Sequence, residues 1–569
     1  MILTRLTCLA TILTAGFFTG PAIAMDGVAG PYLAAQAATA LNDYKAASGY
    51  FNDALLHDPT DPALMESAII SDIALGNMAG AVPIAKALDA TGTKSQVART
   101  VILADTLNRG AYDDAIKAIA AGQGVGPLVD GLVTAWSQVG AGKMSDGLAS
   151  FDKLADNPGL KAFALYHKAL AMASVGDFEG AAKIFGGPDI QPTRTSLVAY
   201  IEVLSQLDRD KDALALLNEK FGAGADPGIE PLRHRLQAGE VVPFDVVRNA
   251  KDGLSEVFYS VAAALKGEAS DGFTLVYSRI AQFLRPDNSE AILLTAGLLD
   301  SQGQHDLAIE AYATIARTDP AYYTAQQGRA QALYSAGHYD AGIEAMKQLV
   351  AAHPDLAEAQ ASLADLLRRQ ERYAEALPVY DAAIALIKDP KPRNWAIFYM
   401  RGVCNERTGH WDKAEADLRK ALTLRPEEPE VLNYLGYAMV ERSEKLDEAL
   451  AMIKRAVAAR PDDGYIVDSL SWGYYRTGHY SEALPIAERA SQLMPVDAVV
   501  TDHLGDIYWS VGRKLEAQFQ WHRALSFNPD PKDEVRIKRK LEIGLDAVLK
   551  EEGAPPLKST SAVGGANGG

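Results

Sequence analysis

The chain has 569 residues, 55 Lys and Arg against 73 Asp and Glu, a formal charge of -18 and an isoelectric point near 5.1. Such an acid excess leaves no broad positive field for phosphates and excludes general nucleic-acid binding. The length exceeds what one hydrophobic core supports, and 48% apolar residues are enough to build several.

The chain begins with Arg5, an apolar run from Leu6 to Phe18 and the segment Pro21-Ala22-Ile23-Ala24. This order of basic region, apolar core and small-residue cleavage site predicts a secretory signal peptide over 1–24, cut after Ala24. The competing reading, an N-terminal membrane anchor, requires a longer apolar run. Cys8 precedes most of that run, so the pattern is not that of a lipid-bearing cysteine. Losing Arg5 takes the formal charge from -18 to -19 and leaves Cys404 as the one remaining cysteine, with no intramolecular disulfide and a buried, inert thiol expected.

Downstream, small residues recur at Ala47, Ala81, Ala115, Gly147, Ala181 and Ala213, in steps of 32 or 34. A period of that length predicts a helical hairpin repeated and stacked. Ala47, Phe51, Ala54 and Pro59 make the first unit regular, whereas the units between about 90 and 240 keep apolar helical periodicity with weaker signatures. Residues 25–240 form an N-terminal array on this reading. The segment 241–254, with Val241-Val242-Pro243-Phe244, interrupts the period and reads as a junction between two arrays or as a loop inserted in one.

From 255 to 530 the period is clear. Pro286, Pro320 and Pro354 are 34 apart, as are Pro461, Pro495 and Pro529. Each stops a second helix, because proline has no amide donor and clashes with the preceding turn. Pro426 lies 35 before Pro461, with Glu444 as a one-residue insertion in a turn, and the longer step from Pro354 absorbs extra residues around Lys388–Pro392. The small-residue register continues at Ala308, Gly342, Ala376, Ala414, Ala449, Ala483 and Ala517. Residues 531–550 read as one amphipathic capping helix carrying Arg536, Lys538, Arg539 and Lys540, either a solvated face or a contact for an acidic partner or membrane surface. Residues 551–569 read as a disordered tail rich in Gly, Ser and Ala.

The last unit shows Thr501, Leu504-Gly505, Tyr508, Ala517, Trp521, Ala524 and Pro529. Those spacings resemble the tetratricopeptide-repeat superfamily over nearly the whole length after residue 28. The resemblance implies an all-α solenoid of about 13 or 14 hairpins, a right-handed superhelix whose first helices line a concave face. It also implies that positions 2, 5, 9 and 12–13 of each first helix point into the groove. Those positions hold Asn433, Tyr437 and Glu441, then Tyr465, Asp468, Trp472, Tyr475 and Arg476, then Asp502, Asp506 and Trp509. Large aromatics beside fixed charges suit a peptide-binding groove. The alternative is that Trp472 and Tyr475 pack against an adjacent helix or the chain's own tail. Asp468 and Asp502 disfavour a terminal carboxylate and favour a segment carrying Lys or Arg.

No Walker-type loop, Gly-x-Ser-x-Gly elbow or His-Glu-x-x-His stretch is present. Histidines at Gly337-His338-Tyr339, Gly409-His410-Trp411 and Gly478-His479-Tyr480 recur at one turn position, which is turn chemistry. No enzyme activity, metal, cofactor or small-molecule substrate is expected. The stretches around Asn433-Tyr434-Leu435-Gly436, Asp463–Leu470 and Asp502–Asp506 resemble proteobacterial envelope tetratricopeptide proteins, among them a lipoprotein adaptor of a carboxyl-terminal processing protease. This resemblance implies a periplasmic scaffold, associated in some members with the outer membrane, that brings a protease or cell-wall hydrolase to its substrate. A structural part of a polysaccharide-export or secretion assembly is the alternative.

Overall fold

The computed structural model describes residues 27–222 and 226–557. The predicted signal peptide and residues 558–569 of the predicted tail lie outside the described residues. The described residues form 31 α-helices and no β-strand, an all-α solenoid of hairpins. The chain divides into two compact units, one ending at Gly342 and one starting at Ile343. Six hairpins precede residue 222, one spans 250–284, two lie between 289 and 352, and five run from 357 to 525.

The pair Gly464–Thr477 and Tyr480–Leu493 shows why such a sequence folds locally. The Asp463 carboxylate accepts from the backbone N–H groups of Tyr465 and Ile466 at 3.2 and 3.3 Å, capping the first helix. Gly478, at φ +83°, ends it in the left-handed region that a side chain would disfavour. His479 Nδ1 lies 2.9 Å from Thr477 Oγ1, and His410 makes the same contact with Thr408, so two of the recurring histidines are turn groups, as expected. The insertion at Glu444 is absorbed by placing Ser443 and Lys445 at positive φ.

Every small residue of the predicted register, from Ala47 to Ala517, is buried. At Gly505 the reason is geometric, since a Cβ there would lie 2.5 Å from Trp521 Nε1. Successive hairpins of the second unit are also latched by a feature the reading of prolines missed. Arg455 and Arg489 donate to the carbonyl oxygens of Pro426 and Pro461 at 2.8 and 3.0 Å, and Arg523 donates to that of Pro495. The terminating proline leaves a carbonyl exposed, and an arginine 28 or 29 residues later occupies it.

In the first unit the predicted boundary is displaced. The hairpin Ala250–Leu265 and Asp271–Leu284 does not open a separate array. It packs against Pro62–Ala74, Gln96–Asn108, Pro127–Gly140 and Lys161–Ser174, the first helices of earlier hairpins. Gly253 permits this approach, because a Cβ there would meet the Trp136 indole at 2.5 Å. The side predicted to form a groove in the N-terminal array is therefore filled by the chain itself. The aperiodic stretch runs beside Arg194–Gln206, where Glu202 accepts from the N–H groups of Asp245 and Val246 at 3.0 and 3.3 Å. The division at 342/343, and not at 241–254, follows from this inserted hairpin.

The predicted single cap is two helices, Pro531–Ile543 and Leu545–Glu551, broken at Gly544 with φ +83°. A side chain at Gly544 would collide with Trp509 at 2.7 Å. Of the residues assigned to the predicted tail, Glu552 pairs with Arg536 at 2.8 Å and Leu557 packs against the core.

Candidate functional site

The predicted groove residues fall on three consecutive first helices, Pro429–Glu441, Gly464–Thr477 and Ala498–Ser510. Their side chains do not form an open aromatic and acidic wall. Asp468, Trp472, Tyr475 and Asp506 are buried, which corrects their assignment as exposed groove residues. Adjacent first helices lie close enough for the side chains at these positions to meet one another. His503 Nδ1 is 2.7 Å from Asp468 Oδ2. The Trp472 ring lies between His503 at 3.9 Å and Tyr475 at 4.6 Å, both stacked. Its indole N–H donates to Glu441 Oε1, which also accepts from Arg476 at 3.1 Å. The packing alternative holds for this core of the site.

Asp502 and Asp506 are also occupied. Lys540, fully buried, donates to Asp502 Oδ1 at 2.5 Å and to Asp506 Oδ1 at 2.6 Å. Asp506 further receives the Trp521 indole N–H at 2.9 Å and Arg536 at 3.3 Å. Within the basic cluster, then, Arg536 and Lys540 face inward, and the reading of a wholly solvated face is corrected. Lys538 and Arg539 remain outside, paired with Glu534, Glu542 and Glu551. The cation that Asp502 and Asp506 hold is the chain's own Lys540. Paired with Lys540, Asp502 and Asp506 do not by themselves repel a carboxylate ligand here.

Trp509 donates to Asp546 Oδ2 at 2.9 Å and Tyr465 to Asp497 Oδ2 at 3.0 Å, while Asn433 Oδ1 is buried without a hydrogen-bond partner. Tyr437, Trp472, Arg476 and Asp502 do converge. With Val499 and Asp533 they line a cleft of about 370 Å³. His503, Lys540 and Val499 were not among the predicted residues. The signal for His503 was available: it follows Asp468 by 35 residues, one repeat and one position.

Burial alone would lower the His503 pKa, but the Asp468 carboxylate outweighs it and the net shift is upward. A raised folded-state pKa stabilises below the unfolded value near 6.5 and loses that contribution as pH rises through the folded value. The melting temperature of the second unit should therefore fall as pH rises above about 6.5, and His503→Gln should flatten that dependence. Calorimetry across this range checks it, and an unchanged slope in the variant would remove His503 as the cause.

Cys404 is buried and its thiol pushed up to about 11 by burial, the inert group expected. Among the described residues no group of three or more His, Cys, Asp or Glu is placed to hold a metal ion, and no helix is long and apolar enough to cross a membrane.

The tetratricopeptide repeat family matches residues 328–391, 383–429 and 399–464. Residues 328–464 therefore match the tetratricopeptide repeat. No curated protein matches it. Among solved structures, the Cut9–Hcn1 hetero-tetramer of APC/C is similar at 15% identity and TM-score 0.39, over 90% of this chain and 96% of that one. A tetratricopeptide repeat protein from Parabacteroides merdae aligns at 17% identity and TM-score 0.37, covering 45% and 98%. YrrB, a tetratricopeptide protein described as having an unusual peptide-binding site, aligns at 21% and 0.28, covering 35% and 99%. Tetratricopeptide repeats generally mediate protein–protein interactions, because stacked hairpins present extended surfaces.

Proposed function

We propose that this tetratricopeptide protein is a non-enzymatic scaffold of the bacterial cell envelope, exported by its N-terminal leader. Its second unit holds a protein or peptide partner, and the role is to bring an envelope protease or cell-wall hydrolase to its substrate. The observation that carries this reading is the cleft of about 370 Å³ lined by the stacked rings of Trp472 and His503, with Tyr475 packed behind Trp472. A lining locked by stacking and by Glu441 loses little side-chain entropy on binding, which is what a recognition surface requires. Tyr437, Arg476 and Asp533 at its walls supply apolar area and charge of both signs.

The test is crosslinking and affinity purification from intact envelopes with wild type and with Val499→Glu. Val499 lines the cleft and is 45% exposed, so a charge there changes the surface without disturbing the core. A protease or hydrolase should be recovered about tenfold less with the variant, the effect of losing ~1.4 kcal/mol. Equal recovery would reject the cleft. Export-channel subunits in place of an enzyme would move the assignment to a secretion or polymer-export assembly.

A further inference from the structure

The first unit contains a cavity of about 400 Å³ that no repeat position predicts. It lies where the inserted helix Ala250–Leu265 faces Lys161–Ser174 and the start of Arg194–Gln206. Phe163, Ala263 and Ala264 form apolar walls, and Tyr166, Tyr259 and Glu256 supply the polar side. Glu256 is 5% exposed, and the Tyr166 hydroxyl donates to its Oε1 at 2.8 Å. No Lys or Arg among the described residues forms an ion pair with it. Arg194 is engaged by Glu290 at 3.2 Å and by Asp226, and Arg285 by Asp287 at 3.1 Å and Asp252 at 3.9 Å.

His167, next to Tyr166, supplies no positive charge. The Trp136 indole N–H donates to its Nδ1 at 3.1 Å, so the ring proton sits on Nε2, facing Ser260 Oγ at 3.2 Å. Burial pushes its pKa down to about 3.

We propose that this cavity binds a small organic cation, an ammonium group on an apolar body. The ammonium would lie against Glu256 and the rings of Tyr166 and Tyr259, and the body along Phe163, Ala263 and Ala264. A buried carboxyl without a counter-cation, beside two tyrosine rings, is complementary to a desolvated ammonium. Glu290, from the helix Ser289–Ser301, lies behind the cavity wall paired with Arg194 and adds no positive charge there. The volume matches a small molecule and excludes a folded partner. This site departs from the expectation that the chain takes no small molecule, and it does not rest on the partner cleft of the second unit.

The groups facing Glu256 set the pH dependence. They are Tyr166 from the helix Lys161–Ser174, Tyr259 on its own helix, Arg285 and Glu290, while His167 is held by Trp136 and Ser260 and Arg194 by Glu290 and Asp226. Burial pushes Glu256 up to about 8, opposed by the Tyr166 hydrogen bond and reinforced by Glu290, with Arg285 acting downward. Glu256 is therefore mainly protonated at pH 7. Capturing a cation ionises Glu256 and releases a proton. Affinity should fall about tenfold per pH unit below about 8 and level off above it, until the amine itself deprotonates above about 10.

Titration calorimetry of the full chain with n-hexylammonium, in buffers of different ionisation heat, tests this. Saturable binding, release approaching one proton per ligand near neutral pH and at least tenfold weaker binding of n-hexanol are expected. Glu256→Gln should abolish both the proton release and the pH slope, with its melting curve as the folding control. If that variant fails to fold, proton release by the wild type decides alone. No saturable heat, equal affinity for n-hexanol, or binding without proton release would overturn the proposal. Val499→Glu should leave hexylammonium binding unchanged, so failure here and failure of the partner cleft are distinguishable.

Discussion

Lys540→Met is expected to destabilise the second unit by about 3–5 kcal/mol, the usual effect of removing one partner from a buried ionic cluster. Lys540 and Asp506 are both fully buried, and the ammonium serves Asp502 and Asp506 together. Methionine keeps the length and apolar stem but leaves two carboxylates facing each other, with Arg536 reaching only Asp506. Chemical denaturation of the wild type and the variant gives the value. Adding Asp502→Asn and Asp506→Asn to Lys540→Met should restore part of the loss, because neutral amides do not repel. A loss below about 1 kcal/mol would mean that the cap is held by packing of Ile537, Leu545 and Val548 and not by this cluster.

Trp136→Ala should destabilise the first unit by about 3–5 kcal/mol, as large-to-small changes of buried aromatics do. The ring is fully buried, lies edge-on to Phe151 at 5.9 Å and is covered by the backbone of Gly253. Its removal opens a cavity and strips His167 Nδ1 of its donor, so the unsatisfied nitrogen adds to the packing loss. The diagnostic is hydrogen exchange. Amides of 250–284 should lose protection together with those of 127–174, because the inserted hairpin and the inner helices share this contact. Independent loss would show that the hairpin is held mainly elsewhere, for instance through Arg279, whose Nε donates to the Ala74 carbonyl at 3.0 Å.

What the sequence shows of this structure depends on which interactions are local. Hairpins were legible because their signals act within one repeat. A proline stops a helix, a small residue admits its partner helix, and Asp463 or Gly478 shapes an end by itself. The turn histidines, the insertion at Glu444 and the buried Cys404 belong to the same class. The latching arginines Arg455 and Arg489 were equally periodic and could have been read from their 34-residue spacing, had the carbonyl left by each proline been treated as an acceptor needing a donor.

Site exposure was not legible. Helical position places Asp468, Trp472 and Asp506 on one side of their helices, but whether that side meets solvent depends on what crosses it. For Asp468 it is His503 on the next helix, and for Asp506 it is Lys540, 34 residues away on the cap.

By itself, then, the sequence determined the all-α hairpin repeat, its period, its turns and an overall charge unsuited to nucleic acid, since each rests on backbone propensity or on composition. Only the tertiary structure decided that helices 250–284 fill the inner face of the first unit. It also decided that Lys540 occupies the acids of the second, and that Glu256 lies buried without a counter-cation. Those outcomes depend on contacts between residues far apart in the chain, whose partners no repeat position specifies.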